Sequence, residues 1–184
     1  MTRALFMANR RVRRLAPALL ALATALGASA EPKRYTLDGE HLTVAFLVEH
    51  IGYAKTLGLF LEAEGEFTFD AERGELGEVR VAVATASVET HHEARNRHVR
   101  SGDFLASDDH PEMVFTASRG ERTGERTFAI DGELTLLGVT RPLTLEAVWN
   151  KTAPYPVAPR DEVVGVSARG RLKRSDFGMG YGVA

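Results

Sequence analysis

The side chains best suited to chemistry crowd into residues 91–105. His91, His92, Glu93, His98 and Asp103, with His110 a little further on, could hold a divalent cation, since zinc sites use three or four convergent imidazoles and carboxylates. Their spacing fits no standard zinc motif and adjacent histidines rarely ligate together, so solvated or hydrogen-bonded histidines are the simpler reading. Serine hydrolysis would need a nucleophile on a sharp elbow, and no G-x-S-x-G occurs. Asp176-Phe177-Gly178 spells a kinase metal motif, but no glycine-rich or catalytic loop accompanies it. Gly178, Gly180 and Gly182 follow no βαβ unit and make no dinucleotide fingerprint. Cysteine is absent, which removes disulfides and thiolate sites.

The elements that must position these residues alternate apolar and polar side chains with period two, the mark of half-buried strands. Phe46 and Val48 share one face with Leu42 and Val44. Phe67 and Phe69 back onto Glu64, Glu66 and Thr68. Val81 and Val83 follow, then Phe115 with Met113 and Ala117. Phe128, Ile130, Leu134 and Leu136 form another row, and Leu145 and Trp149 another with Leu143 and Ala147. Residues 150–162 carry Pro154, Pro156 and Pro159, a density that predicts no interior strand. Within the polar stretch, Thr90 with Glu93 suggests a capping box opening a two-turn helix that Gly102 ends. The pattern predicts an all-β fold, an antiparallel barrel of about eight strands with one short crossover helix. By pattern alone the apolar rows fill a core; they could also enclose a ligand, with Ala63, Gly65, Gly132, Ala147, Ala168 and Gly170 supplying space.

Residues 1–30 read as a cleaved signal peptide: five arginines, a 12-residue apolar run Leu15–Leu26 and an Ala28-Ser29-Ala30 cleavage site. The run is shorter than the ~20 residues a helical span needs. A periplasmic or secreted location follows. Removing those arginines leaves 18 basic against 25 acidic residues, a net charge of −7. An acidic exported domain is a poor partner for nucleic acid.

Several motifs in a fixed order then resemble a known family. They are His50-Ile51-Gly52-Tyr53, Gly65-Glu66-Phe67-Thr68-Phe69-Asp70, Ala86-Ser87-Val88-Glu89-Thr90, His98-Val99-Arg100-Ser101-Gly102-Asp103-Phe104-Leu105, Gly132-Glu133-Leu134-Thr135-Leu136 and Arg174-Ser175-Asp176-Phe177-Gly178-Met179. Together they resemble the YceI-like proteins, exported and lipocalin-like, over residues 31–184. The resemblance implies an extended barrel holding a polyisoprenoid or isoprenoid quinone, with no catalysis and no cofactor beyond that lipid. It turns the rows into a ligand lining: Phe46, Val48, Phe67, Phe69, Val81, Val83, Phe104, Phe115, Phe128, Leu134, Leu136, Leu145, Trp149 and Phe177. His50, His98, Arg100, Asp103 and Asp176 become polar mouth or structural residues. Membrane redox or lipid-delivery proteins are the expected partners, and the protein is expected as monomer or homodimer. The family's final barrel strand is expected to be missing after Ala184. Two alternatives stay open: an exported metal-dependent enzyme using the histidine-rich stretch, and a filled barrel acting as an interaction module.

Overall fold

The computed structural model describes residues 32–182; the signal peptide expected over residues 1–30 lies outside them. Ten strands and one helix follow in order: β1 Lys33–Thr36, β2 Val44–His50, β3 Ala54–Phe60, β4 Ala63–Asp70, β5 Glu75–Ala84, β6 Val88–Glu89, α1 Glu93–Arg100, β7 Glu112–Arg122, β8 Thr127–Leu136, β9 Val139–Tyr155 and β10 Ala158–Arg169. Two 3-10 turns, Thr85–Ser87 and Arg174–Phe177, complete it. The count exceeds eight in part because β6 is two residues long, too short to leave a period-two signature.

Seven strands form one antiparallel sheet in the order β1-β4-β5-β7-β8-β9-β10, and β2-β3-β6 form a second, smaller one. The large sheet is barrel-like and nearly closed. Its inner rows follow the alternation: Phe67 and Phe69 on β4, Phe115 and Ala117 on β7, and Phe128, Ile130, Leu134 and Leu136 on β8 are all buried in one core. A bulge in β5, where Glu78 takes φ 47° and the register to β4 slips, changes the parity of the strand. Leu76 therefore reaches the core on the same side as Val79, Val81 and Val83. The turn from β8 to β9 is Leu137-Gly138, both at positive φ, the geometry that a two-residue hairpin needs. The small sheet contributes Phe60 and Val88 to the core, with Phe46 tilted on Phe60 at 5.3 Å.

The proline-rich region departs from expectation. β9 runs through Pro154 to Tyr155, and β10 starts at Ala158. β8 begins at Thr127, opposite Val148, so the distal part of β9 is laddered only to β10. A proline there interrupts an edge rather than a sheet interior. Residues 159–161 are taken up by a register shift between Ala158 and Glu162.

The helix cap also differs. His92, not Thr90, is the N-cap, its Nδ1 accepting from the Arg95 amide at 3.2 Å. Thr90 is buried, and both its amide and its hydroxyl donate to Asn96 Oδ1, at 2.8 and 2.7 Å. Asn96 Nδ2 in turn donates to Glu89 Oε2 at 2.9 Å. Arg95 returns two bonds to Thr90, from Nε to the hydroxyl and from Nη2 to the carbonyl. A buried asparagine thus ties α1 to the strand before it, satisfying donors that would otherwise be orphaned. The helix ends at Ser101, whose amide donates to the His98 carbonyl, one residue before the expected Gly102.

Candidate functional site

The inner face divides by accessibility. Eight of the residues expected to line a ligand are buried against one another: Phe67, Phe69, Val83, Phe115, Phe128, Leu134, Leu136 and Phe177. Phe46, Val81, Phe104, Leu145 and Trp149 are only half-buried, and Val48 is 42% exposed. The accessible positions gather where the large sheet runs out. On β9 they are Leu143, Leu145 and Trp149. On β10, Val164 is half-buried and Val166, paired with Trp149, is 42% exposed. Tyr35 and Leu37 on the β1 side and Val44 and Phe46 on β2 are half-buried in the same way. The result is an apolar flank, one side of which merges into packed core while the other stays open.

Three of the small residues do not supply the space expected of them: a methyl group on Gly65 would collide with the Arg80 carbonyl oxygen. A methyl group on Gly132 would lie 2.5 Å from Phe115 Cζ, and one on Gly170 would lie 2.7 Å from Leu145 Cδ2. Their missing side chains and close approaches make room for neighbouring chain atoms, so these positions serve packing rather than a guest.

The two edges of the large sheet, β1 and β10, meet through side chains rather than a ladder. Glu162 on β10 accepts from Tyr35 Oη at 2.6 Å and pairs with Lys33 Nζ at 2.9 Å, both on β1. The Tyr35 ring stacks on Phe67 at 5.5 Å, inside the barrel. Burial, then the bond to Glu162, pushes the Tyr35 phenol up to about 12. The Tyr35 hydroxyl and then Lys33 hold the Glu162 carboxyl below its ordinary value. Nothing in the sequence pattern marks this pair: Tyr35 sits in a four-residue strand and Glu162 at the end of the proline-rich loop.

The five polar residues do not assemble into one mouth. His98 Nε2 meets Asp103 Oδ2 at 2.9 Å, and the His98 ring packs edge-on to Phe104 at 4.9 Å and to Tyr181 at 4.8 Å. Arg100 turns to the Ala86 carbonyl at 3.2 Å and to Glu93. Asp176 is exposed, and its carbonyl accepts from Arg141 Nε at 3.2 Å. His50 stands apart, exposed at the end of β2 in the other sheet. Leu105 is buried in the core and Phe104 packs beside it, as expected of a crossover that caps the barrel. The histidines disperse too: His92 caps the helix, while the His110 carbonyl accepts from the fully buried Thr85. Among the described residues no three His, Asp or Glu side chains converge on a metal-sized space.

A depression of about 650 Å³ lies on the outer face of β8, β9 and β10, lined by Thr127, Thr144, Glu146, Val148, Ser167 and Arg169. The Arg169–Glu146 ion pair at 2.7 Å belongs to this surface, which is open to water and mixes apolar side chains such as Val148 with charged ones.

Comparison with known proteins agrees with this architecture. The YceI-like domain matches residues 35–184. A UPF0312 protein of Pseudomonas putida is 36% identical over 166 residues, covering 88% of this chain and 85% of its own length. Protein YceI of Shigella flexneri is 37% identical over 153 residues, covering 82% and 78%. Among solved structures, a YceI protein of Campylobacter jejuni superposes with a TM-score of 0.67 at 30% identity, over 83% of this chain and 88% of that one. BcnA of Burkholderia cenocepacia, at 20% identity and the same TM-score over 79% and 86%, shares the fold. With its sheet order, its inner rows and a match spanning nearly every described residue, the chain belongs to the YceI-like domain family.

Proposed function

We propose that this protein is a non-catalytic carrier that holds a long-chain polyisoprenoid or isoprenoid quinone along its inner face, in an exported compartment. The observation that carries the reading is the accessible apolar flank formed by Leu143, Leu145, Trp149, Val164 and Val166, with Tyr35 reaching β10 through Glu162. Apolar surface left open beside a packed core is costly in water, and exposed apolar surface of this kind marks a site of binding. Burial contributes roughly 25 cal/mol per Å² of apolar area, so ~400 Å² of isoprene chain gives about 10 kcal/mol before ordering costs. Long chains therefore bind better than short ones, and shape rather than polar contact selects them. Membership of the YceI-like family supports a binding role for this surface.

Mass spectrometry of organic extracts from natively purified protein tests the reading, together with uptake of added isoprenoid quinone. A co-purifying isoprenoid, or saturable uptake, is the expected outcome. Protein that carries no isoprenoid and takes up none would sink it. A second reading has its own observation: among the described residues β10 ladders only to β9 and meets β1 through side chains alone, so its backbone edge offers a ladder to a strand from a partner protein. A stable complex with a partner, formed by protein that binds no lipid, would favour that reading instead.

A further inference from the structure

Arg174 stands apart from the other arginines. Arg34 pairs with Glu66 and Glu78, Arg95 bonds Thr90, Arg100 bonds Ala86 and Glu93, and Arg169 pairs with Glu146. Arg174 has a buried Nη1 with no hydrogen-bond partner among the described residues. Its guanidinium lies over the Phe104 ring, 5.6 Å from the centroid. A cation on a ring face is worth about 0.5–2 kcal/mol and leaves the N–H donors of that nitrogen unmet. Buried donors of a charged group are among the costliest to leave unpaired.

The backbone around Arg174 is fixed. Phe177 and Met179 are buried in the core, and the Met179 amide donates to the Arg174 carbonyl at 3.2 Å. Arg141 Nε holds the Asp176 carbonyl, tying the turn to β9. Beside the guanidinium, Phe104, His98 and Tyr181 form a three-ring cluster with centroids 4.8–5.2 Å apart. Tyr181 is half open to solvent and Phe104 is half-buried, so this corner is a rim where apolar core meets water. His98 is committed to Asp103, which leaves Arg174 as the donor without a partner.

We propose that Arg174 receives the polar end of the bound lipid, donating from its guanidinium to an oxygen acceptor while Phe104 and Tyr181 flank the head. The inference rests on the carrier reading above and names the chemistry of the head: a carbonyl or phosphoryl oxygen. A guanidinium suits either, because its planar fork meets paired or single oxygens with charge-assisted bonds. This makes Arg174 a specificity-determining residue at one end of a lining that otherwise selects only length.

The test compares three lipids of equal prenyl length by competition binding to the full protein: an isoprenoid quinone, a polyprenyl phosphate and a head-free polyprenyl hydrocarbon. The wild type is expected to prefer at least one oxygen-bearing lipid over the hydrocarbon by about tenfold or more. Arg174→Met, which keeps the apolar stem, is expected to abolish that preference while binding the hydrocarbon as before. Arg174→Lys keeps the charge without the fork and is expected to retain preference for the phosphate only; full retention for the quinone would contradict a role for the fork. A wild type that discriminates by head but an Arg174→Met protein that discriminates equally well would overturn the proposal. A wild type that binds no lipid of the three defeats the carrier reading itself, and one that binds all three alike defeats only the assignment of Arg174. The guanidinium ¹⁵N resonances of Arg174 in the unsubstituted protein give a readout independent of variant folding. They should shift with the preferred oxygen-bearing lipid and not with the hydrocarbon, and an unchanged spectrum would contradict the contact.

Discussion

Phe128 on β8 and Val166 on β10 both point to the inner face, yet the first is 3% exposed and the second 42%. One strand, β9, separates them. β8 has ladder partners on both sides and faces Phe69, whose ring meets Phe128 edge-on at 6.2 Å. β10 has one partner, and across the barrel it meets only the side chains of Lys33 and Tyr35 on β1, through Glu162. The same kind of residue at the same parity is thus core in one half of the molecule and open surface in the other. What decides is the element opposite, and that is the half of the molecule offered to a guest.

The comparison can be broken most forcefully in the packed half. Phe128→Ala should cost about 3–5 kcal/mol, measured by urea unfolding, because a large ring leaves a site that cannot collapse. Val166→Ala should cost under ~1 kcal/mol in the same assay, since Val166 is already in water. Equal losses at the two positions would mean that the two halves do not differ as described. Between these lies Asn96→Ala, which orphans the Thr90 amide and hydroxyl and frees Glu89; a loss of about 2–3 kcal/mol is expected, with α1 losing hydrogen-exchange protection first.

The smallest effect belongs to the seam. The Tyr35 phenol, pushed up to about 12 from 10.0, adds stability that is fully present below pH 10 and is lost as pH rises through about 12. Glu162, held below its usual range, adds stability present above its unfolded value and lost as pH falls through the folded one. The seam should therefore be tightest from about pH 5 to 10. Of the four tyrosines, one should ionise late in an ultraviolet absorbance titration, and Glu162→Gln should bring it back toward 10. Four tyrosines that titrate together in the native protein would remove the latch.

Much of the barrel could be read from the chain, because a row such as Phe128-Ile130-Leu134-Leu136 has no stable alternative to a strand with one dry face. The crossover helix was legible from its end signals, although His92 rather than Thr90 caps it, and Leu105 anchors it in the core. The division of the inner face was not, since period two assigns a side and says nothing of what covers it. The seam escaped because Glu162 reaches Tyr35 across 127 residues from the start of β10, a stretch whose prolines argued against a strand. Asn96 and Thr90 escaped because a polar residue between charged neighbours looks like surface until the fold buries it. The histidines invited a metal reading by type alone, and the fold sends the His92 and His98 rings to separate tasks.

Trp149 gives the most direct measurement. It is the only tryptophan, half-buried on the open flank, with its indole N–H bonded to Thr152 Oγ1 at 2.8 Å and its ring edge-on to Phe69 at 5.1 Å. A long-chain isoprenoid quinone bound along this flank should quench its fluorescence saturably, near one equivalent. Val166→Asp, which puts a carboxylate on the residue paired with Trp149, should weaken that quenching at least tenfold, while Val148→Asp, equally exposed on the outer face, should leave it unchanged. Linear, unsaturable quenching that is the same in all three proteins would contradict the account.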